Sequence, residues 1–247
     1  MADVITNKEY RLYILDGHGT CCSDDPRLAP SVLSHPLAGG GMSSPQASPM
    51  TIPQHIVVER DATLDMVLLV YPGVSCDVKL DVKLAGEGAE ANIYGAYVCG
   101  GEEKVKIAVD MHHDLPHCNS RQLFKGIAGG TSRVDFYGKI IVAQDAQRTE
   151  AYQENHNILL TDGAKVDTKP QLEIYADDVK CSHGATIGRL NEEEQFYMRS
   201  RGISLEDAKV LQMISFIAPV LENIPEADRE GVAAQFEDAI RNIVKNL

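Results

Sequence analysis

Short runs in which apolar and polar residues alternate fill the middle of the chain, from about residue 53 to residue 188. The runs are "HIVVE", "MVLLVY", "CDVKLDVKL", "ANIYGAYV", "VKIAVDM", "RVDFYGKIIV", "HNILL" and "QLEIYA". Alternation of this kind is typical of β-strands with one buried face, and the connectors between the runs are small and polar with little helical periodicity. The pattern predicts a mainly β region built from many short strands.

The connectors between these runs resemble one another. The segments "RDATLD", "EGAEAN", "GGTSRV", "DGAKVD" and "HGATIG" each place Gly or Asp before Ala or Thr and then return to a strand. Their spacing is irregular, so the likeness is weaker than a sequence repeat, but it favours a coiled stack of short strands over a sandwich closed by long hairpins. The terminal strands of such a solenoid have exposed edges, so something must cap or continue the stack.

The hydrophobic period changes to that of a helix after Gly188. The segment "NEEEQFYMRSRG" begins with Asn191 as an N-cap and Glu194 in the capping-box position, has acidic residues in its first turn, and stops at Gly202. These signals predict one short helix.

Two further helices are predicted beyond this one. Ser204 caps the second, and Pro219 is expected to kink it or to end it early. The third starts at Pro225, which suits a first-turn position, and shows a single apolar stripe. The second helix has two neighbouring stripes, which predict packing on two sides; they are Val210, Met213, Ile217 and Val220, and Leu211, Ile214, Ala218 and Leu221.

The start of the chain differs from both regions. It holds one strand-like run, "YRLYILDGHG", followed by "PLAGGGMSSPQASPM", whose Gly, Ser and Pro content is typical of a loop that packs poorly. The sequence therefore predicts three parts: an N-terminal strand and flexible arm over residues 1–52, a β-solenoid over 53–190, and a small helical domain over 191–247.

Charge and composition narrow the function. The 247 residues carry a net charge of −13, which argues against binding nucleic acid or an anionic membrane through clustered Lys and Arg. Six cysteines without paired CxxC spacing fit neither a disulfide scaffold nor a structural zinc site, and favour a reducing cytoplasm. No leader peptide and no apolar stretch long enough for a membrane helix is evident, so we expect a soluble protein.

The densest group of metal-ligand side chains lies in "MHHDLPHC". It places His112, His113, His117 and Cys118 within seven residues, and such ligands bind zinc or iron. Against a metal site, Pro116 breaks the segment, strand neighbours point to opposite faces, and no second ligand pair completes a tetrahedron. A turn containing hydrogen-bonded histidines is the favoured interpretation.

A second candidate is the segment "KCSHGAT", from Lys180 to Thr186. In an extended strand, Cys181 and His183 leave the same face about 6.6 to 7 Å apart at the backbone, so both can lean toward one ion. Two ligands do not close a metal site, which normally has four, so other residues of the chain or a partner must contribute. From the residues alone, a buried structural cysteine beside a hydrogen-bonded histidine is the stronger interpretation.

The common motifs of catalysis are missing from the sequence. There is no GxSxG, no Walker A loop and no GxGxxG that opens a helix, and no nucleophile has an obvious base beside it. This lowers the expectation of an ordinary enzyme. Two alternatives remain open beside a metal scaffold: a β-solenoid enzyme acting on polysaccharide or acyl groups, and a purely structural adaptor.

Four stretches together resemble one known family. They are "SRQLFKG", "FYGKIIV", "AQDAQRTEAYQENHNILLTDGAKVDTKPQLEIYADDVKCSHGATIG" and "FYMRSRGIS". They resemble the SufB and SufD family of iron–sulfur cluster assembly proteins, and its SufD branch in particular. The likeness is dense from Asn119 to Ile203 and looser upstream from Ile56 and into the last two helices, and "YRLYILDGH" resembles the strand with which that family enters its solenoid.

The resemblance implies a fold and a role. The fold would be a right-handed parallel β-helix followed by a C-terminal helical domain. The role would be that of a non-enzymatic subunit that pairs with SufB through the β-helices and holds the ATPase SufC through its C-terminal helices, while a nascent iron–sulfur cluster is assembled. An isolated protein of this kind could pair with itself, which would hide its exposed strand edges.

The resemblance also assigns site residues. His183 corresponds to a position implicated in a transient iron or cluster site shared with SufB, and Cys181 is a weaker candidate; no cofactor is expected in the isolated protein. A SufB chain would carry a cysteine at the position of Val166, so this chain is expected to be the SufD partner. Members of the SufD branch commonly begin with an additional helical domain, which is expected here to be absent or supplied elsewhere.

Overall fold

The computed structural model describes residues 2–15, 31–35 and 52–246, and for residues 31–35 it describes the backbone alone. The strands among them are β1 Asp3–Ile5, β2 Lys8–Leu15, β3 Ser31–His35, β4 His55–Val58, β5 Thr63–Val70, β6 Cys76–Leu84, β7 Glu90–Cys99, β8 Lys104–His113, β9 Asn119–Ala128, β10 Arg133–Val142, β11 Glu150–Leu159, β12 Lys165–Ile174 and β13 Lys180–Gly188. The helices are α1 Glu192–Ser200, α2 Leu205–Leu221 and α3 Glu226–Lys245.

The strands form two sheets between which the chain passes back and forth. The first sheet has the order β1-β4-β6-β8-β10-β12, and the second has the order β13-β11-β9-β7-β5-β2-β3. All neighbouring strands are parallel except the pair β2 and β3. Each coil of about 30 residues adds one strand to each sheet, so the chain builds a β-solenoid of about five turns. The predicted fold class is confirmed.

One corner has the same left-handed backbone conformation in four successive coils. The corner leading from the first sheet to the second contains Asp61, Gly88, His117 and Arg148 in four successive coils, each with a positive φ between 55° and 73°. The backbone N–H of each donates to a carbonyl oxygen in the corresponding corner of the next coil. Of the five similar segments, "RDATLD" and "EGAEAN" lie at this corner, and "GGTSRV" and "DGAKVD" lie at the corner leading back to the first sheet. The prediction of a connector at "HGATIG" was wrong, because this segment continues the ladder of β11 as part of β13.

Most of the interior of the solenoid is an apolar core. Inward-facing residues of both sheets fill it, including the fully buried Leu64, Ile93, Val109 and Phe136. On β6, inward residues are buried and outward residues are charged, as the alternation predicts. On β8 the same alternation holds, except that the outward residues include Ala108 and the inward residues include His113.

A second core lies on the outer face of the second sheet. Helices α2 and α3 pack there against outward residues such as Leu12, Val67 and Val98, and Tyr71 contacts the ring of Phe236 with 4.3 Å between ring centroids. Strands β2, β5 and β7 are therefore buried on both faces near their carboxyl ends, which explains continuous apolar runs such as "MVLLVY". The helices thus share a core with the second sheet. The division of the chain into three domains stays a prediction.

The predicted helix signals have the expected partners. The Asn191 side chain accepts hydrogen bonds from the backbone N–H groups of Glu193 and Glu194, and Ser204 exchanges hydrogen bonds with Asp207. Pro219 lies in the last turn of α2, which ends two residues later at Leu221. Pro225 directly precedes α3.

Strands β1, β3 and β9 were not among the predicted runs. Strand β9 carries the polar Ser120 and Gln122 at inward positions, and the inward Gly126 further weakens the apolar signal. The predicted flexible arm, "PLAGGGMSSPQASPM", lies outside the described residues. No helix in the described part of the chain is long and apolar enough to cross a membrane.

Candidate functional site

Cys181 and His183 lie on the last strand of the second sheet. In register, Cys181 pairs with Ala151 and His183 pairs with Gln153 of β11, and both partners face the solenoid interior. The two side chains therefore share the inward face of β13, as the predicted strand requires. The structure brings the predicted pair together at the end of the coil.

The two side chains differ in exposure. Cys181 is half-buried and packs against the apolar core, and burial raises the pKa of its thiol although a backbone hydrogen bond with Ala151 lowers it. His183 is exposed to solvent. Since the thiolate is the form that binds metal, Cys181 must lose a proton at some cost, whereas the imidazole is accessible.

The pair is not completed by other side chains of the described residues. Within 2–15 and 52–246, no group of three or more His, Cys, Asp or Glu side chains is arranged to hold a metal ion. Two donors of the right kind at the right spacing, without a third, fit half of a ligand set.

The last coil, formed by β12 and β13, leaves its interior uncovered; we call it the open end. Inward residues of the coil before it, such as Val134 and Ile140, are at most 1% exposed. At the open end, Ile174 is 40% exposed and Ile187 is 46% exposed, although both continue inward rows. Among the described residues, no strand pairs with the outer edge of β12 or β13. Apolar side chains, two strand edges and the Cys181–His183 pair therefore meet on one surface.

Val166 also lies at the open end. It follows the inward row of Val134 on β10 and packs partly against the solenoid core. This position, at which a SufB chain is expected to carry cysteine, therefore faces the same side of the coil as the candidate pair.

The solenoid interior below the open end is polar, a feature that sequence reasoning missed. The Tyr97 hydroxyl donates to Asn157 Oδ1 at 2.5 Å and accepts from Asn155 at 3.2 Å, and Gln153 donates to Gln122 Oε1 at 3.0 Å. All five side chains are at most 2% exposed. The available signal was that both alternating sets of positions in "AYQENHN" contain polar residues, so polar side chains must face inward.

The histidines of "MHHDLPHC" are separated by their strand. His112 faces outward, with its Nε2 atom 3.4 Å from Asp81, whereas His113 faces inward and lies 2.8 Å from the Ser120 hydroxyl. Burial lowers the pKa of His113 to about 4, so it is neutral at physiological pH.

The other two members of that segment serve the turn. His117 is exposed and holds the left-handed corner position of its coil. Cys118 is buried, and its Sγ atom donates to the carbonyl oxygen of Gly86 at 3.2 Å. The four side chains do not converge, and the structure agrees with a turn of hydrogen-bonded residues.

The helices present a second exposed apolar surface. On α1, Phe196 is 72% exposed and Tyr197 is 59% exposed, and Leu211 on α2 is 46% exposed. A groove of about 830 Å³ lies between these helices and the segment that follows β13. The second apolar stripe of α2 therefore opens partly onto this groove, while its first stripe is buried in the helix and sheet core.

Residues 48–216 match a family model described as the SufBD core domain of the SUF system of FeS cluster assembly. The match covers β4 to β13, α1 and most of α2.

Three curated relatives illustrate the similarity. The chain is 39% identical over 180 residues to the iron–sulfur cluster assembly protein SufD of Escherichia coli, which is 73% of this chain and 42% of that protein. It is 46% identical over 116 residues to a SufBD family protein of Synechocystis, or 47% of this chain and 26% of the relative. It is 30% identical over 190 residues to one of Mycobacterium leprae, or 73% and 48%. The chain thus spans less than half the length of these relatives.

Proposed function

Because the chain belongs to the SufBD family of the SUF iron–sulfur cluster assembly system, we propose that it acts as a SufD-like subunit of a scaffold formed with SufB and SufC. The observation that supports this most strongly is the exposed His183 beside the half-buried Cys181 on the uncovered interior of the last coil. The proposal assigns the protein no catalysis of its own, and its free cysteines suit a reducing cytoplasm.

In this proposal His183 supplies half of a shared ligand set. The iron or nascent cluster is the cargo, held between this chain and SufB, with Cys181 as a secondary ligand. An imidazole and a thiol are both ligands that iron and iron–sulfur clusters accept. An incomplete set on each chain binds the cargo while the chains are together and releases it when they separate.

The open end is the proposed contact with SufB. Ile174 and Ile187 would gain apolar burial there, and the free edges of β12 and β13 would gain backbone partners. In the isolated protein the same surface would pair with a second copy.

The helical face is the proposed contact with SufC. Phe196, Tyr197 and Leu211 offer exposed aromatic and aliphatic anchors beside a groove, which are the residue types that concentrate binding energy. Movement of an ATPase bound there would reach the open end directly, because α1 follows β13 after three residues.

The test is iron retention by the complex reconstituted with SufB and SufC. His183→Ala should reduce iron retention and cluster yield by tenfold or more, because a ligand is lost. His156→Ala is the matched control, since His156 lies on the neighbouring strand β11, facing outward, and should leave both unchanged. Equal iron content in wild type and His183→Ala would remove the ligand role and leave a purely structural adaptor.

The two docking surfaces can be tested against each other. Ile187→Asp should weaken binding of SufB and leave binding of SufC intact, whereas Phe196→Asp should do the reverse. Each variant is thus the control for the other, and both positions are exposed enough for the change to leave the fold intact. Loss of both partners in either variant, or of neither, would contradict the assignment of surfaces.

A further inference from the structure

A row of three polar side chains runs along the interior of the last three coils. Gln122 on β9 pairs in register with Gln153 on β11, which pairs in register with His183 on β13. Paired residues of adjacent strands are about 4.8 Å apart. Ile93 occupies the same row one coil earlier, so the polar row begins at Gln122 and ends at the open end.

The two glutamines of this row are only half satisfied. Gln153 Nε2 donates to Gln122 Oε1 at 3.0 Å, but Gln153 Oε1 and Gln122 Nε2 are buried without a hydrogen-bond partner. Leaving a buried polar group unpaired is destabilising. If the oxygen and nitrogen positions of both amides are exchanged, Gln122 Nε2 donates to Gln153 Oε1 and Gln153 Nε2 is the atom without a partner. In either orientation, one polar atom of Gln153 is available.

The fold keeps space for this amide. Gly138 lies on the inward face of β10, opposite Gln153, between the large inward residues Phe136 and Ile140. A Cβ atom at Gly138 would lie closer than 3.0 Å to the amide carbon and to the amide oxygen and nitrogen of Gln153. A glycine in the middle of a strand lowers strand stability, so the room for the amide is obtained at a cost.

We propose that Gln153 is the positioning residue for His183. In the structure no hydrogen bond joins Gln153 to His183. In the proposal the imidazole turns inward and one ring nitrogen bonds the free amide atom of Gln153, because His183 is the next side chain in the row and its ring carries both a donor and an acceptor. The other ring nitrogen is thereby fixed toward the open end. The inference deepens the proposed function, on which it rests for the identity of the ligand that this nitrogen meets.

The chemical consequence is a preset tautomer. A hydrogen bond to one nitrogen determines where the ring proton sits and therefore which nitrogen offers a lone pair. Partners of this kind are worth about 10- to 100-fold in the affinity of a histidine for a metal. The polar row would orient the exposed imidazole of His183 from the rigid interior of the solenoid. Residues on the outward face of the sheet cannot do this, because they point away from His183.

The test is ¹⁵N NMR of the histidine rings in the full chain, without partners or iron. In the wild type, His183 should show one dominant tautomer. Gln153→Met keeps the unbranched shape but has no amide to bond the imidazole, so it should give mixed tautomers. His156 is the internal control, and Gln171→Met, exposed on the outer face of β12, is the control variant.

Unchanged tautomer populations of His183 in Gln153→Met would overturn the proposal. If Gln153→Met does not fold, Gln153→Asn retains the amide but withdraws it by one methylene, and it should mix the tautomers in the same way. In the reconstituted complex, the Gln153→Met variant should bind iron with an affinity about 10- to 100-fold lower than that of the wild type. If His183→Ala retains iron, the proposed function fails while the NMR result still decides the role of Gln153.

Discussion

Gly126 provides the sharpest test of how the polar interior is packed. It lies on the inward face of β9, fully enclosed, next to the ring of Tyr97 on β7. A Cβ atom at Gly126 would lie closer than 3.0 Å to the ring carbons Cε2 and Cζ of Tyr97 and to Oδ1 of Asn157. The ring is 0% exposed, and its hydroxyl is bonded to Asn157 and Asn155, so it has no free direction in which to move.

The cost of Gly126→Ala can be estimated from these contacts. Overpacking a core by a methyl group costs about 1–3 kcal/mol. Displacing the ring also breaks two buried hydrogen bonds of about 1 kcal/mol each. The free energy of unfolding should therefore fall by about 3–5 kcal/mol, which lowers the Tm of a domain of this size by about 6–20 °C.

The assay is urea unfolding followed by far-UV circular dichroism, with the Tm as a second measurement. Gly184→Ala on β13 is the control, because a Cβ atom there has nothing within 4 Å and should change stability by less than about 0.5 kcal/mol. A Gly126→Ala variant within 0.5 kcal/mol of the wild type would refute the reasoning. Combining it with Tyr97→Leu should cost less than the sum of the two single changes, because the ring that clashes is gone.

Other predictions concern single buried or capping groups. Burial lowers the pKa of His113 from 6.5 to about 4, so between these pH values the unfolded chain takes up a proton that the folded chain does not. The free energy of unfolding should therefore fall by roughly 3 kcal/mol between pH 6.5 and pH 4. In urea titrations at several pH values, His113→Gln should flatten this part of the pH profile. Glu103→Ala should destabilise by about 2–4 kcal/mol, because its carboxylate accepts three backbone N–H bonds from two neighbouring turns, whereas the exposed Glu102→Ala should be neutral by the same assay. Ser204→Ala should cost about 1 kcal/mol in the same assay, and no loss would show that its hydrogen bond to Asp207 is not a stabilising cap.

Much of the fold could be predicted from the sequence because most strands have one apolar and one polar face. Strand β6 follows this rule at every position and β8 follows it except at Ala108 and His113, and the sequence predicted both. Strand β9 breaks it, because Ser120 and Gln122 face the interior and are paired with other buried polar groups. Such partners come from strands 7 to 31 residues away, which periodicity within one segment cannot reveal.

The helices illustrate a different limit. Their caps and apolar stripes could be predicted from the sequence, because both depend on residues within a few positions of one another. The surface against which the stripes pack could not be predicted from the sequence. The second sheet presents Val67 and Val98 outward, and only the folded coil shows that the helices cover them. The exposed Phe196 and Leu211 show the reverse case, in which apolar residues of the helices stay uncovered in the chain alone.

For the candidate site, the spacing in the sequence identified the Cys181–His183 pair but could not predict that the two side chains differ in exposure. Cys181 and His183 share a face because they are two residues apart, a local property of any strand. Their difference arises across the coil, where Cys181 pairs with Ala151 and packs on an apolar core, while His183 pairs with Gln153 and ends a polar row.

The end of a parallel solenoid suits half of a shared metal site for a physical reason. Each strand of the last coil is hydrogen-bonded along one edge to a rigid stack, so ligands on it are held in place even though nothing covers them. The uncovered edge and the exposed Ile174 and Ile187 favour a second surface arriving at the same place. The features that make the open end costly in the isolated chain are therefore those that would bring a partner's ligands to His183.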